Sequence, residues 1–126
     1  MGAMKTLLAF LVVAAALPGC GPSIPEPRSL PAGKSFAGLW DSNWGQMQLM
    51  QEGTRVHGPF KGFRNGSVSG EVKGDLYIFR WTQMENQQFG RGYLQMSLDG
   101  NALEGRWGYQ SDPANGGRWW ATRATP

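Results

Sequence analysis

The chain predicts an all-β domain: a small antiparallel up-and-down β-barrel of about eight strands. Three observations point to it. Nineteen Gly and eight Pro in 126 residues cut the chain into short segments, which excludes a bundle of long helices. Six Trp, six Phe and three Tyr against 17% charged residues supply a packed core, not a disordered tail. From Ser35 onward apolar residues recur with period two, the spacing of strands that bury alternate side chains. The length suffices for one such domain, at 35–126.

Two segments precede it. Residues 1–5 carry one positive charge, and residues 7–17 form an unbroken apolar run of 11 ended by Pro18-Gly19-Cys20. That run falls short of the roughly 20 residues that cross a bilayer. It also lacks the polar positions of a core helix. It fits the hydrophobic region of a secretory signal occupying 1–19. Leu17-Pro18-Gly19-Cys20 resembles the bacterial lipobox, with Pro18 departing from the small residue preferred there. The resemblance implies that Cys20 receives a diacylglyceryl group, that the signal is cut before it, and that the new amine is acylated. The product would be a palmitate-bearing lipoprotein. Each buried methylene contributes about 0.8 kcal/mol, so more than one chain holds firmly to a membrane. Gly21 stands where enteric-type bacteria place Asp to retain a lipoprotein at the inner membrane. The expected address is therefore the outer membrane, on its periplasmic or its surface face. Residues 20–34 contain Pro22, Pro25, Pro27 and Pro31. Such density favours extended chain, spanning on the order of 40 Å. The segment reads as a semi-rigid tether, with an arm docked along the barrel as the alternative.

The strands follow in order. Residues 36–42 form the first. Residues 45–51 form the second, with Met47 and Leu49 on one face and Gln46, Gln48 and Met50 on the other. Glu52-Gly53-Thr54 turns the chain into 55–60, where Val56, Gly58 and Phe60 are in phase. A loop at 61–66 leads to 67–73, with Val68, Gly70 and Val72 in phase, and Lys73-Gly74-Asp75 turns again. Residues 76–82 are rich in aromatic and β-favouring types. A polar loop at 83–88 precedes 91–98, with Leu94, Met96 and Leu98 in phase. Asp99-Gly100 signals a tight hairpin into 102–109, with Leu103, Gly105 and Trp107 in phase. A loop at 110–117 and a last strand at 118–123 complete the set. Short connections make sequence neighbours pair antiparallel, and closure removes exposed edges.

An apolar–polar–Gly step repeats in Val56-His57-Gly58, Val68-Ser69-Gly70 and Leu103-Glu104-Gly105. Each Gly should face inward, making room for a large neighbour or letting the strand coil sharply. Trp40, Trp107 and one of Trp119 or Trp120 are natural occupants of the interior. Gly38-Leu39-Trp40 near the first strand, and Leu103, Gly105 and Trp107 late in the chain, resemble the calycin-type barrels, the lipocalin and avidin group. The resemblance implies the barrel and, loosely, a binding role. No particular ligand follows from it.

The chemistry-bearing residues are sparse. One Cys excludes an intramolecular disulfide framework, and one His excludes a multi-His metal centre. His57 lies out of phase with Val56 and Gly58, so it should face solvent. No phosphate loop, Gly-x-Ser-x-Gly step or metal-ligand spacing is present. Catalysis and cofactors are therefore not expected. The basic residues are scattered singly, and the formal charge of +3 loses Lys5 on cleavage, so nucleic acid is not an expected partner. In 76–82, Tyr77, Phe79 and Trp81 share one face, and Leu76, Ile78 and Arg80 the other. An inward aromatic face makes core. The opposite arrangement would place Arg80 inside, needing Asp41 or Glu71 as partner.

Aromatic residues are the candidates for contact. Trp44 sits between the first two strands, and the Trp119-Trp120 pair must put one indole on each face. Gln83, Asn86, Gln87 and Gln88 could add hydrogen bonds at the same rim. The expected binding residues are Trp44, Trp119, Trp120 and Gln87, with lipid on Cys20. The expectation is an outer-membrane lipoprotein whose barrel binds an envelope protein, since many large side chains leave little interior volume. The alternative is a carrier of a small apolar ligand inside the barrel.

Overall fold

The computed structural model describes residues 24–62 and 64–124. The segment expected to be a secretory signal and the lipobox-like step ending at Cys20 lie outside the described residues. Eight strands form one closed barrel: β1 (Gly38–Ser42), β2 (Gly45–Glu52), β3 (Arg55–Lys61), β4 (Gly66–Lys73), β5 (Leu76–Gln83), β6 (Phe89–Met96), β7 (Ala102–Tyr109) and β8 (Gly117–Arg123). Every strand pairs antiparallel with its neighbour in sequence. β1 closes on β8 through Trp40↔Arg123 and Ser42↔Ala121. The chain is thus an all-β, up-and-down barrel, and its architecture is compatible with a calycin-like fold.

Period-two burial sets the register. Met47, Leu49, Val56, Phe60, Val68, Leu94, Met96 and Leu103 all point into one core. Each large side chain so buried contributes roughly 1.5–3 kcal/mol. In β5 the aromatic face is the inner one: Tyr77, Phe79 and Trp81 are buried and Arg80 is exposed. The guanidinium thereby stays in water and needs no buried acid. His57 is exposed. The repeated glycines serve coiling. A Cβ at Gly58, Gly70 or Gly105 would run into the neighbouring strand's carbonyl at Gln48, Ile78 or Tyr93. Backbone therefore occupies the side-chain space at those three points.

Most strand boundaries fall within one residue of the sequence expectation, but β1 begins two residues later and both ends of β6 shift by two. β6 begins at Phe89 and ends at Met96, so Leu98 is not a core residue. It is 78% exposed in the turn before β7, where the Asp99 carboxylate accepts the Ser97 hydroxyl and the Asn101 N–H. Side-chain capping there outweighs one more in-phase apolar residue.

The two poles of the barrel are unlike. At the base, Phe36 plugs the opening, 5.7 Å from Tyr77 centroid to centroid. Trp40 Nε1 donates to the Phe36 carbonyl at 2.9 Å. The Tyr77 hydroxyl donates to the Val56 carbonyl at 2.8 Å, and burial pushes its phenol pKa far up. The Pro-rich segment from Ile24 onward is not a free stalk: it lies docked on this pole. Asp75, 1% exposed, accepts the Arg28 backbone N–H and Nε, each at 2.8 Å, and Gln95 Nε2 at 3.0 Å. The Asp75 N–H returns a bond to the Arg28 carbonyl at 2.8 Å. Leu30 packs on the core beside it. Proline stiffness permits this, because an extended arm loses little further entropy on docking.

Candidate functional site

The opposite pole is open. Antiparallel connectivity brings the β1–β2, β3–β4, β5–β6 and β7–β8 connections to it. They surround a cavity of about 570 Å³, within the usual range for small-molecule sites.

Its wall is aromatic because the last inward positions of several strands are aromatic. Trp107 stands at the centre, edge-on to Trp44 (5.2 Å, 89°), Trp81 (5.7 Å, 86°) and Tyr109 (5.1 Å, 80°). Edge-to-face pairs add about 0.5–1.5 kcal/mol beyond area burial. The Gly116 N–H donates to the Trp107 carbonyl at 2.8 Å, and a Cβ on Gly116 would strike the indole. Trp119 forms the floor. It packs edge-on against Phe60 (5.5 Å) and Phe79 (5.4 Å), which joins the cup to the core. Its Nε1 is buried without a hydrogen-bond acceptor among the described residues. Trp81 Nε1, by contrast, donates to the Gly108 carbonyl at 3.0 Å.

Trp44 is placed by its neighbours. Asn43 Oδ1 accepts the Trp120 N–H at 2.9 Å, and Asn43 Nδ2 donates to the Arg118 carbonyl at 2.9 Å. The β1–β2 turn is thereby pinned to β8. Gly45 lies at φ 109°, and a Cβ there would meet the Lys61 carbonyl, so only glycine lets the turn pass β3 this closely.

The rim is polar. Gln83, Asn86 and Gln88 line it from the end of β5 and its loop. The Gln83 N–H donates to the Gln88 carbonyl at 2.8 Å, closing that loop. Asn86 Oδ1 accepts the Gln88 N–H at 3.1 Å. The Gln83 and Gln88 side-chain amides make no hydrogen bond among the described residues. Among the described residues lining the cavity, Arg64, half-buried, is the one charged residue, and none is a carboxylate.

The structure brings two of the four expected contact residues together here, Trp44 and Trp119. Trp120 lies on the outer face, 47% exposed, with the Arg118 guanidinium 5.4 Å from its ring and Glu104 paired to that Arg at 2.7 Å. Alternation makes this unavoidable, since adjacent residues in a strand take opposite faces. Gln87, at φ 56° in the loop, is not among the lining residues, whereas its neighbours Asn86 and Gln88 are. Sequence reading passed over Phe60, Arg64, Trp81, Trp107 and Tyr109 as site residues. The available signal was positional: Phe60, Trp81 and Tyr109 lie in the inward phase near the ends of strands that connect at one pole. Among the described residues no group of three or more His, Cys, Asp or Glu could hold a metal ion.

Comparison with protein-family models, with curated proteins and with solved structures finds no match for this chain.

Proposed function

We propose that this chain is a lipid-anchored envelope protein whose barrel acts without catalysis, by holding a small molecule in the aromatic cup. The observation that carries the binding reading is the cavity of about 570 Å³ walled by indoles and rimmed by amides. An interior filled throughout by side chains would favour a protein partner on the outer face. The open mouth reverses that order, and makes the carrier reading the better one. Support for the anchor is the lipobox-like Leu17-Pro18-Gly19-Cys20 after an apolar run, and Gly21 in place of an Asp supports the outer membrane as its address.

Two experiments test these readings. Intrinsic Trp fluorescence is titrated with a panel of fatty acids, aryl compounds and glycosides. A saturable change at micromolar ligand, lost in Trp107→Ala, is the expected result. A panel without any saturable response overturns the binding reading. For the anchor, Cys20→Ala should abolish incorporation of labelled palmitate, and unchanged labelling overturns it.

A further inference from the structure

We propose that the cup takes a neutral, hydroxyl-rich ring, a saccharide unit, in preference to a hydrocarbon or a cation. The inference rests on the binding reading above and concerns the unfilled hydrogen-bonding capacity of the wall.

That capacity is specific in kind. Each of the Gln83 and Gln88 amides offers a carbonyl acceptor and an NH₂ donor, and neither is used within the described structure. Asn86 has spent its oxygen on the Gln88 N–H and keeps its donors. The Trp119 indole N–H at the floor has no acceptor among the described residues. Donors and acceptors are thus mixed, and nearly all are uncharged.

Three ligand classes can be weighed against this wall. An alkyl or plain aryl ligand would fill the aromatic space but strip water from the amides and return no bonds, which subtracts from affinity. A cation would find indole faces, but no carboxylate is among the described residues lining the cavity, so nothing there would offset the cost of stripping its water. A pyranose satisfies both parts. Its C–H face packs on an aromatic face, whose negative quadrupole attracts the C–H hydrogens. Its hydroxyls each donate and accept, matching the amides at the rim. Trp107 at nearly right angles to Trp44 and Trp81 provides differently oriented rings for such a face. The double role of the hydroxyl also explains why amides, rather than charged groups, predominate at this rim.

The test uses the full chain in detergent and two probes of similar outline, phenyl β-glucoside and cyclohexyl phenyl ether, by calorimetric titration. The glycoside should bind at least tenfold more tightly. The double variant Gln83→Leu, Gln88→Leu should lose fivefold or more for the glycoside while the ether binds equally well or better. Unchanged circular dichroism and melting temperature would show that the variant folds. An ether that binds as tightly as the glycoside overturns the saccharide assignment and leaves the cup a binding site. Neither probe binding while another panel compound does overturns the assignment in the same way. Failure of the whole panel overturns the binding reading itself.

Discussion

The Arg123 guanidinium lies 4.2 Å from the centroid of the Trp40 ring and binds three backbone carbonyls around it. Nη1 donates to Ala37 at 3.2 Å, and Nη2 to Ser35 at 3.1 Å and Gly100 at 2.9 Å. One side chain at the end of β8 therefore ties together the segment before β1, the turn before β7 and the core indole. Arg123→Ala should lower stability by about 2–4 kcal/mol, through the lost cation–π contact and three stranded carbonyls. Urea denaturation followed by Trp fluorescence measures it. A loss below 1 kcal/mol would show that the base closes without this residue.

The Asp75 clasp gives a pH dependence. Burial pushes its carboxyl pKa up, but the Arg28 N–H, the Gln95 amide and the Arg28 guanidinium together outweigh that and hold it below the usual value. The folded state thus binds this proton less tightly than the unfolded chain. The resulting stabilisation is fully present above the ordinary carboxylate value and is lost as pH falls through the lowered one. Asp75→Asn should melt below the parent at pH 7, with a deficit of about 1–3 kcal/mol, discounted because Arg28 is half exposed. The gap should stay constant down to about pH 4 and narrow below it. A gap that widens in acid contradicts the clasp.

Gly105→Ala places a methyl group where the Tyr93 carbonyl sits. Backbone cannot swing aside as a side-chain tip can, so β6 and β7 must separate. The expected loss is about 3 kcal/mol or more, at the high end for one added carbon. Gly53→Ala is the control for added bulk alone: a Cβ there meets nothing within 4 Å, and only its φ of 63° opposes it. A Gly105→Ala protein no less stable than this control would refute the close-approach account.

Asn43→Ala removes the side-chain pin between the β1–β2 turn and β8. The lost bonds are largely exposed, so stability should fall by only about 1 kcal/mol. Trp44 should nevertheless loosen. The readout is its indole N–H resonance, which should broaden or shift toward the random-coil position while the Trp40 signal stays put. An unchanged Trp44 resonance would mean that its other contacts, ring packing among them, hold it without the pin.

The architecture was legible because period-two burial leaves little freedom of register. Val56, Val68 and Leu103 announce their inner face, and a one-residue slip would expose each of them. The aromatic face of β5 was the better of two readings, and the position of Arg80 decides it. Other features depend on three-dimensional neighbours that a linear pattern does not carry. Leu98 follows the strand rhythm, yet the Asp99 cap ends the strand before it. Arg28 looks like one more polar residue among prolines until the β4–β5 turn places Asp75 beneath it. Trp81 and Trp107 read only as core, because nothing in a single strand says at which end the barrel stays open.

Arg28 meets the base of the barrel, and β8 runs down to that same base at Arg123. The docked arm and the end of the last strand therefore both meet one pole, and the entrance is at the other. Under the proposed anchoring, the lipid on Cys20 would reach the barrel through this docked arm and not through the mouth, which leaves the cup unobstructed by its own tether.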